Sequence, residues 1–513
     1  MSSGWSFNRY IILALALISI FLHLAFYNNL EYHRDELLYF SLGMHPAGGY
    51  ATTPPLIGWL AFILMQTLGH SIFAVKLLPA LGSGLLVILT AAITRELGGS
   101  VYARILSAIG ILVAPLFLRA FFLFQPVFLD ILFWTLVFYL FIRYINTRKP
   151  SHLLYLGIVC GFGMLNKYLI VLLIACLLIV VLFTKYRDIY RMPQFYLAFM
   201  IALVIFLPNL VWQLRHHFPV FQHISALHDT QLVHVNRSYF LLEQLVMIYM
   251  VSLLTIPGLI FLISNQAMKP YRMIAYTIIL VVLALLVMRG KSYYTAGVFP
   301  TLIAAGAVFW ERTMRRRMPR LALPLLMVLL TLPMIPLGLP VFTAPGLARY
   351  FDVLEERYGM DLGRRWEDGR IHRLPQDYAD MVGWEELVYQ ASRAYQMVEN
   401  KEQCILYGEN YGHAGALAII GKRYGLPEPF SFHDAFRYWL PDRLDHEITT
   451  MIYVNTNLGE DVRHLFGDIT EVGRLEISYA REYGTSVFLC RTPKQSFNAF
   501  YKQLLEERLP PAD

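Results

Sequence analysis

The chain has 513 residues, of which 57% are hydrophobic and 15% charged, and its mean hydropathy is +0.49. That much apolar surface excludes a soluble globular domain and implies an integral membrane protein. The formal net charge of +7 does not imply a nucleic-acid partner, because Lys and Arg punctuate apolar runs instead of clustering on one polar face.

The N-terminal "MSSGWSFNRY" enters an apolar run with no small-residue cleavage pattern, which predicts a retained first helix. Runs compatible with spanning helices of ~20 residues fall near 10–27, 72–93, 101–118, 121–143, 152–166, 168–184, 194–213, 240–263, 273–289, 293–310 and 321–341, which makes about eleven spans. "PLIGWLAFILMQ" (55–66) is too short to cross and follows paired prolines, so it is expected to lie along the interface as part of a first loop over 28–71. The stretch 152–184 is basic on both flanks and is therefore expected to be a hairpin broken at "LNKY" (165–168). Carried along the chain, one set of loops holds about 16 Lys and Arg against about 8 in the other. This predicts a cytoplasmic N-terminus, with the first loop, "LNKY" and the tail on the outer side.

Residues 1–342 thus read as a membrane domain, and 343–513 as a soluble α/β domain outside the membrane. In the tail "QCILYGEN", "MIYVNTN" and "TSVFLCRT" read as strands and "GHAGALAIIGKRYG" as a helix closed by Gly425. Four cysteines make no disulfide framework, although a bridge between Cys404 and Cys490 is compatible with the sequence.

"EYHRDELLYFSLGMHPAGGYATTPPLIGWL" (31–60) sets Arg34, Asp35 and Glu36 in succession directly after the first span. Such a triplet is ordinarily a solvated ion pair. Here it leads through Gly-Gly-Tyr and Pro-Pro into an apolar segment, and ionisable groups recur at the same expected membrane level. Asp130 in "FQPVFLDILFW" would cost several kcal/mol if left unpaired in hydrocarbon, so it is expected to face a polar cavity or a partner. Lys167 joins two short spans, and Arg289 and Lys291 lie where one outer-facing helix ends and the next begins. Singly, each cation reads as a snorkelling anchor. Together with the carboxylates, they form a place where a lipid phosphate can be held while an acid residue removes a nearby proton. Tyr293 and Tyr294 read either as interface anchors or as a surface for stacking a sugar. His216, His217, His223, His228 and His234 share one loop, but their spacing fits no zinc pattern and no metal is indicated.

"RDELLYF", "GGYATTPPLIGWL", "QPVFLDILFW", "GMLNKYL", "LPNLVWQ", "GKSYYTAGVFP", "ENYGHAGAL" and "KRYGLP" run in order from about Glu31 to Pro441. This ordered set resembles the bacterial members of the dolichyl-phosphate-mannose:protein mannosyltransferase family, to which the aminoarabinose transferase of lipid A is related. The resemblance implies an all-α polytopic membrane protein of the GT-C type with a C-terminal soluble α/β domain. It implies Asp35 as catalytic base with Glu36 beside it, Lys167 and Lys291 as donor-phosphate contacts, and Asp130 as a substrate contact. Arg34 is a further cation for the phosphate, and Tyr293 and Tyr294 are further substrate contacts. Relatives often carry a charged or amide side chain before the paired prolines. This chain has Thr52 and Thr53, so Thr53 is expected to reach substrate through a hydroxyl that supplies no charge.

The expected function is an inverting glycosyltransferase with a polyprenyl-phosphate sugar donor and a lipid, glycan or protein acceptor, working at the outer face of a bacterial inner membrane. No cofactor is implied. The alternative is a flippase of a lipid-linked saccharide, which should show interrupted helices in two related halves.

Overall fold

The computed structural model describes residues 3–230, 232–234, 236–366 and 368–508. Each of the eleven apolar runs is helical. Six helices are long and apolar enough to cross a membrane: Ile72–Glu96, Pro126–Thr147, Pro193–Arg215, Gln266–Val287, Ser292–Thr313 and Arg317–Leu337. Arg237–Val246 and Tyr249–Ser264, bent by 88°, make a seventh span if counted as one. Tyr10–Ala25, Val101–Val113, Ser151–Asn166 and Ile170–Leu182 are shorter, reaching about 20 to 24 Å. Of the eleven expected spans, six or seven therefore have full crossing length among the described residues.

The chain divides into two compact units. The first comprises Met1–Tyr27, Thr53–Leu56 and Lys76–Val341. Lipid tails are as apolar as leucine, so its helices associate through close packing at small residues. Gly306 and Gly258 show this reciprocally: a Cβ on Gly306 would stand 1.9 Å from Leu254 O, and one on Gly258 2.2 Å from Leu302 O. The hairpin is broken where expected, because Lys167 takes an extended backbone (φ −157°, ψ 130°) that ends Ser151–Asn166 before Ile170–Leu182 begins.

The second unit comprises Asn28–Thr52, Ile57–Val75 and Phe342–Asp513. The first-loop residues thus belong to the same compact body as the tail. Leu56–Leu68, the segment too short to span, is a 13-residue helix. The tail carries a sheet of β1 (Cys404–Gly408), β2 (Thr450–Asn455), β3 (Phe466–Arg474) and β4 (Ser486–Pro493) in the order β1-β2-β4-β3. β1 and β2 are parallel, and the other pairs are antiparallel. Ile405, Met451, Tyr453, Phe488 and Cys490 build a core on one face, closed by Phe497 and Tyr501 of the Phe497–Arg508 helix. Helices Trp384–Gln396 and Tyr411–Ile419 pack against the sheet and each other. Gly425 closes the latter region with φ +67°, a conformation that favours glycine. Cys404 and Cys490 are free thiols. β2 lies between their strands, which separates them by about two strand spacings, more than a disulfide spans.

Candidate active site

In the second unit, His33 starts the Arg34–Ser41 helix by a reciprocal cap. Its Nδ1 accepts Asp35 N–H at 3.1 Å, and Glu36 Oε2 accepts His33 N–H at 2.9 Å. Such a box satisfies donors that the helix cannot satisfy itself. Glu36 is fully buried in this role, so the expectation that it shares catalysis with Asp35 is replaced by a structural one. Asp35 keeps its half-buried carboxylate on the other side of the helix start, where Oδ1 accepts the Tyr411 hydroxyl at 2.8 Å.

Tyr411 opens a helix capped by Asn410, whose Oδ1 accepts the N–H groups of Gly412 and His413. This helix meets the Arg34–Ser41 helix at bare backbone. A Cβ on Gly412 would lie 2.9 Å from Arg34, and one on Gly415 would lie 2.9 Å from Leu37. The glycines of "GHAG" are therefore spacers for the Asp35 helix, which explains why they match no phosphate cradle.

Arg34 does not project as a loose cation. Its guanidinium lies 4.5 Å from the centre of the Tyr411 ring, with Nε 3.7 Å from Glu482 Oε1, and its side chain is 13% exposed. Its charge lies against Tyr411 and Glu482, contacts that the sequence did not foretell. Glu482 Oε2 also meets His413 Nε2 at 2.9 Å. Burial alone would raise the Glu482 pKa, but the His413 hydrogen bond and the charges of His413, Arg34 and Arg481 outweigh it and bring it down to about 2. A carboxylate depressed by folding contributes stability above its unfolded pKa and loses it as pH falls through the folded value. Glu482→Gln is therefore expected to lower the unfolding temperature by a constant amount above pH 4.5, with the gap to wild type closing between pH 4.5 and about 2 in a thermal scan.

His33 Nε2 is buried, 3.8 Å from Asp380 Oδ2 and 3.9 Å from Asp377 Oδ1. Among the described residues this group comes within metal-binding reach. Its chemistry does not fit a cation. Nδ1 already accepts a backbone N–H, so the ring proton sits on Nε2, and a metal there would require an imidazolate. Arg481 Nη1, 3.1 Å from Asp380 Oδ2, already supplies positive charge. Burial, only partly offset by His33 and Arg481, still lifts the Asp380 carboxyl to about 6.

Thr52 Oγ1 donates to both carboxylate oxygens of Asp434, at 3.2 and 3.1 Å. Burial pushes Asp434 up to about 6.

In the first unit, three elements converge: the Pro126–Thr147 helix, the end of Ser151–Asn166 and the Ser292–Val298 turn. Lys167 Nζ stands 4.5 Å from the ring centre of Tyr294 and 5.3 Å from that of Tyr293. It is within electrostatic reach of Asp130 and Lys291. Asp130 is 6% exposed, with the Trp134 side chain, one turn on, beside its carboxylate. The turn Ser292–Val298 that carries both tyrosines seats Gly297 against Trp134, where a Cβ would come within 2.4 Å. Lys167, Lys291, Asp130, Tyr293 and Tyr294 are thus brought together. Thr53, also in this unit, is buried. An apolar cavity of about 300 Å³ is lined by Met164 and Val171, which flank Lys167 in sequence, and by Phe206. In the histidine-rich loop, His216 stacks on Trp212 and bonds its backbone oxygen, while the side chains of His228 and His234 lie outside the described residues.

Bundled spanning helices that carry a cation, a buried carboxylate and aromatic rings, followed by a small α/β tail, define a polytopic membrane protein of the GT-C fold. Residues 52–212 match the family model described as dolichyl-phosphate-mannose-protein mannosyltransferase, so the resemblance carried by the motifs is borne out. The fold is similar to that of ArnT from Cupriavidus metallidurans bound to undecaprenyl phosphate, with a TM-score of 0.59 and 14% identity over 95% of this chain and 98% of that one. The same protein in the apo state gives 0.57 at 14% identity, with the same coverage. The archaeal oligosaccharyltransferase AglB from Archaeoglobus fulgidus, in complex with an inhibitory peptide and a dolichol-phosphate, gives 0.52 at 11% identity over 98% of this chain and 78% of that one. No curated protein sequence matches the chain.

Tyr411, Glu482, His413 and Asp434 did not emerge from the sequence as site residues. Tyr411 and His413 left a signal, since both stand in the tail motif "ENYGHAGAL".

Proposed function

We propose that the chain is a membrane glycosyltransferase that moves a sugar from a polyprenyl-phosphate donor to a lipid, glycan or protein acceptor at the outer face of the bacterial cytoplasmic membrane. The observation that carries this reading is the convergence of Lys167, Lys291, Asp130 and the two tyrosines within the helix bundle. A cation within a bundle of apolar helices suits the phosphate of an isoprenoid-linked donor, and neighbouring rings and a carboxylate suit the sugar it carries. The solved structures with undecaprenyl phosphate and dolichol-phosphate support the same donor class.

In this reaction the acceptor oxygen or nitrogen attacks the anomeric carbon and its proton passes to Asp35. The bond from that carbon to the phosphate oxygen breaks, and Lys167 and Lys291 stabilise the charge gathering on the departing lipid phosphate. A single displacement inverts the anomeric centre. Asp130, Thr53, Tyr293 and Tyr294 orient the sugar. Nucleotide sugars are cytoplasmic, so a lipid carrier accounts for chemistry on the outer side. N-terminus inside and tail outside complete the proposed topology.

Purified protein given a polyprenyl-phosphate sugar and a membrane glycolipid extract is expected to release free polyprenyl phosphate in step with acceptor modification. A flippase breaks no bond under these conditions. Donor left intact across a panel of acceptors overturns the transferase reading in favour of transport.

A further inference from the structure

The second unit holds a pocket of about 230 Å³ in the tail that none of the chemistry above uses. It opens at the carboxyl ends of the parallel strands β1 and β2, where Glu409 follows one strand and Asn455 ends the other. Loops at the carboxyl ends of parallel strands are the common ligand position in α/β sheets. Tyr407 and Tyr453 are register partners, and their rings stack at 5.7 Å and 26°. Phe430 and Phe432 add a wall beside β1, and Phe500 adds another from the terminal helix. The polar side is ordered: Asn455 Nδ2 donates to Tyr453 Oη at 2.8 Å, and Tyr453 Oη donates to Glu409 Oε2 at 2.8 Å. Asp461 also lines the opening.

A pyranose ring offers a flat face of C–H groups and a rim of hydroxyls, the complement of aromatic faces beside carboxylates and an amide. Two carboxylates against the one guanidinium, Arg508, disfavour a phosphate, which argues against a nucleotide or a lipid headgroup. The cavity is too small for an isoprenoid tail. We infer that this pocket binds one uncharged pyranose unit of a glycan, at a site separate from that of sugar transfer. The inference stands independently of the transferase reading, since binding here breaks no bond.

The test is saturation-transfer NMR on the full chain in lipid nanodiscs, free of glucoside and maltoside detergents, with a panel of methyl glycopyranosides and N-acetyl-tyrosine amide as a non-sugar control. Ring protons of at least one glycoside are expected to receive saturation. Tyr407→Ala should weaken that glycoside about tenfold. Glu409→Gln, at a half-exposed rim position, should weaken it while leaving thermal unfolding unchanged, which keeps the test decisive if the tyrosine variant misfolds. Asp35→Asn should leave it unaltered, separating this pocket from transfer. Overturning results are no transfer to any glycoside, transfer only to the tyrosine control, or glycoside signals that persist equally in a folded Glu409→Gln variant.

Discussion

Asp35→Asn is expected to lower sugar transfer by at least ~100-fold, the scale of a lost general base, with expression and thermal unfolding close to wild type. The reason is local. The amide keeps an oxygen where Oδ1 accepts the Tyr411 hydroxyl, and the cap runs through the backbone N–H of residue 35, so the helix start and its packing survive. Only proton acceptance is lost. Glu36→Gln should show the reverse pattern, with a lower unfolding temperature from a weakened cap and a smaller change in rate, because its carboxylate faces His33 N–H in a fully buried position. Near-normal turnover of purified Asp35→Asn would remove Asp35 from the catalytic role.

Lys167→Met is the second large effect, and it falls on the donor. Methionine keeps an apolar stem against Tyr293 and Tyr294 but removes the charge near Asp130 and Lys291. If the ammonium meets the phosphate only as charge develops on it, the maximal rate falls; if it also binds ground-state donor, the required donor concentration rises. A drop of roughly 100-fold in kcat/KM for the donor is expected, on the scale of a lost oxyanion contact, with acceptor KM little changed. A variant impaired mainly in acceptor use would move Lys167 away from the phosphate.

What the sequence disclosed follows from the range of each interaction. Apolar runs appear as helices because hydropathy is a local property, and the break at Lys167 was legible because basic flanks forced a hairpin. β1, β2 and β4 are buried strands and announced themselves as apolar runs. β3 did not, because it lies at the sheet edge with most of its residues at least partly exposed. The meaning of Glu36 was hidden because histidine is not a usual capping residue, so a capping carboxylate looked like a second catalytic acid. Tyr411 on Asp35 and Asp434 on Thr52 join residues 376 and 382 positions apart, and no periodicity of one chain reports such a pairing. Lys167, Asp130 and the tyrosines were legible individually because each is chemically out of place in an apolar setting.

The Asp35 segment hydrogen-bonds through its backbone to the tail: Glu31 N–H meets Met381 O at 3.0 Å, and Arg34 N–H meets Asp380 O at 3.0 Å. During synthesis the ribosome delivers Asp35 early and these partners some 350 residues later, at roughly 5–20 residues per second. For most of a nascent chain's elongation, then, the spanning helices exist without the surface that holds Asp35. A chain arrested or cleaved after Val341 keeps its membrane helices but leaves the Asp35 loop with no carbonyls to pair with and no Tyr411. Completion of the last third of the polypeptide thus sets the moment at which the Asp35 segment acquires its partners, after the spanning helices have been made.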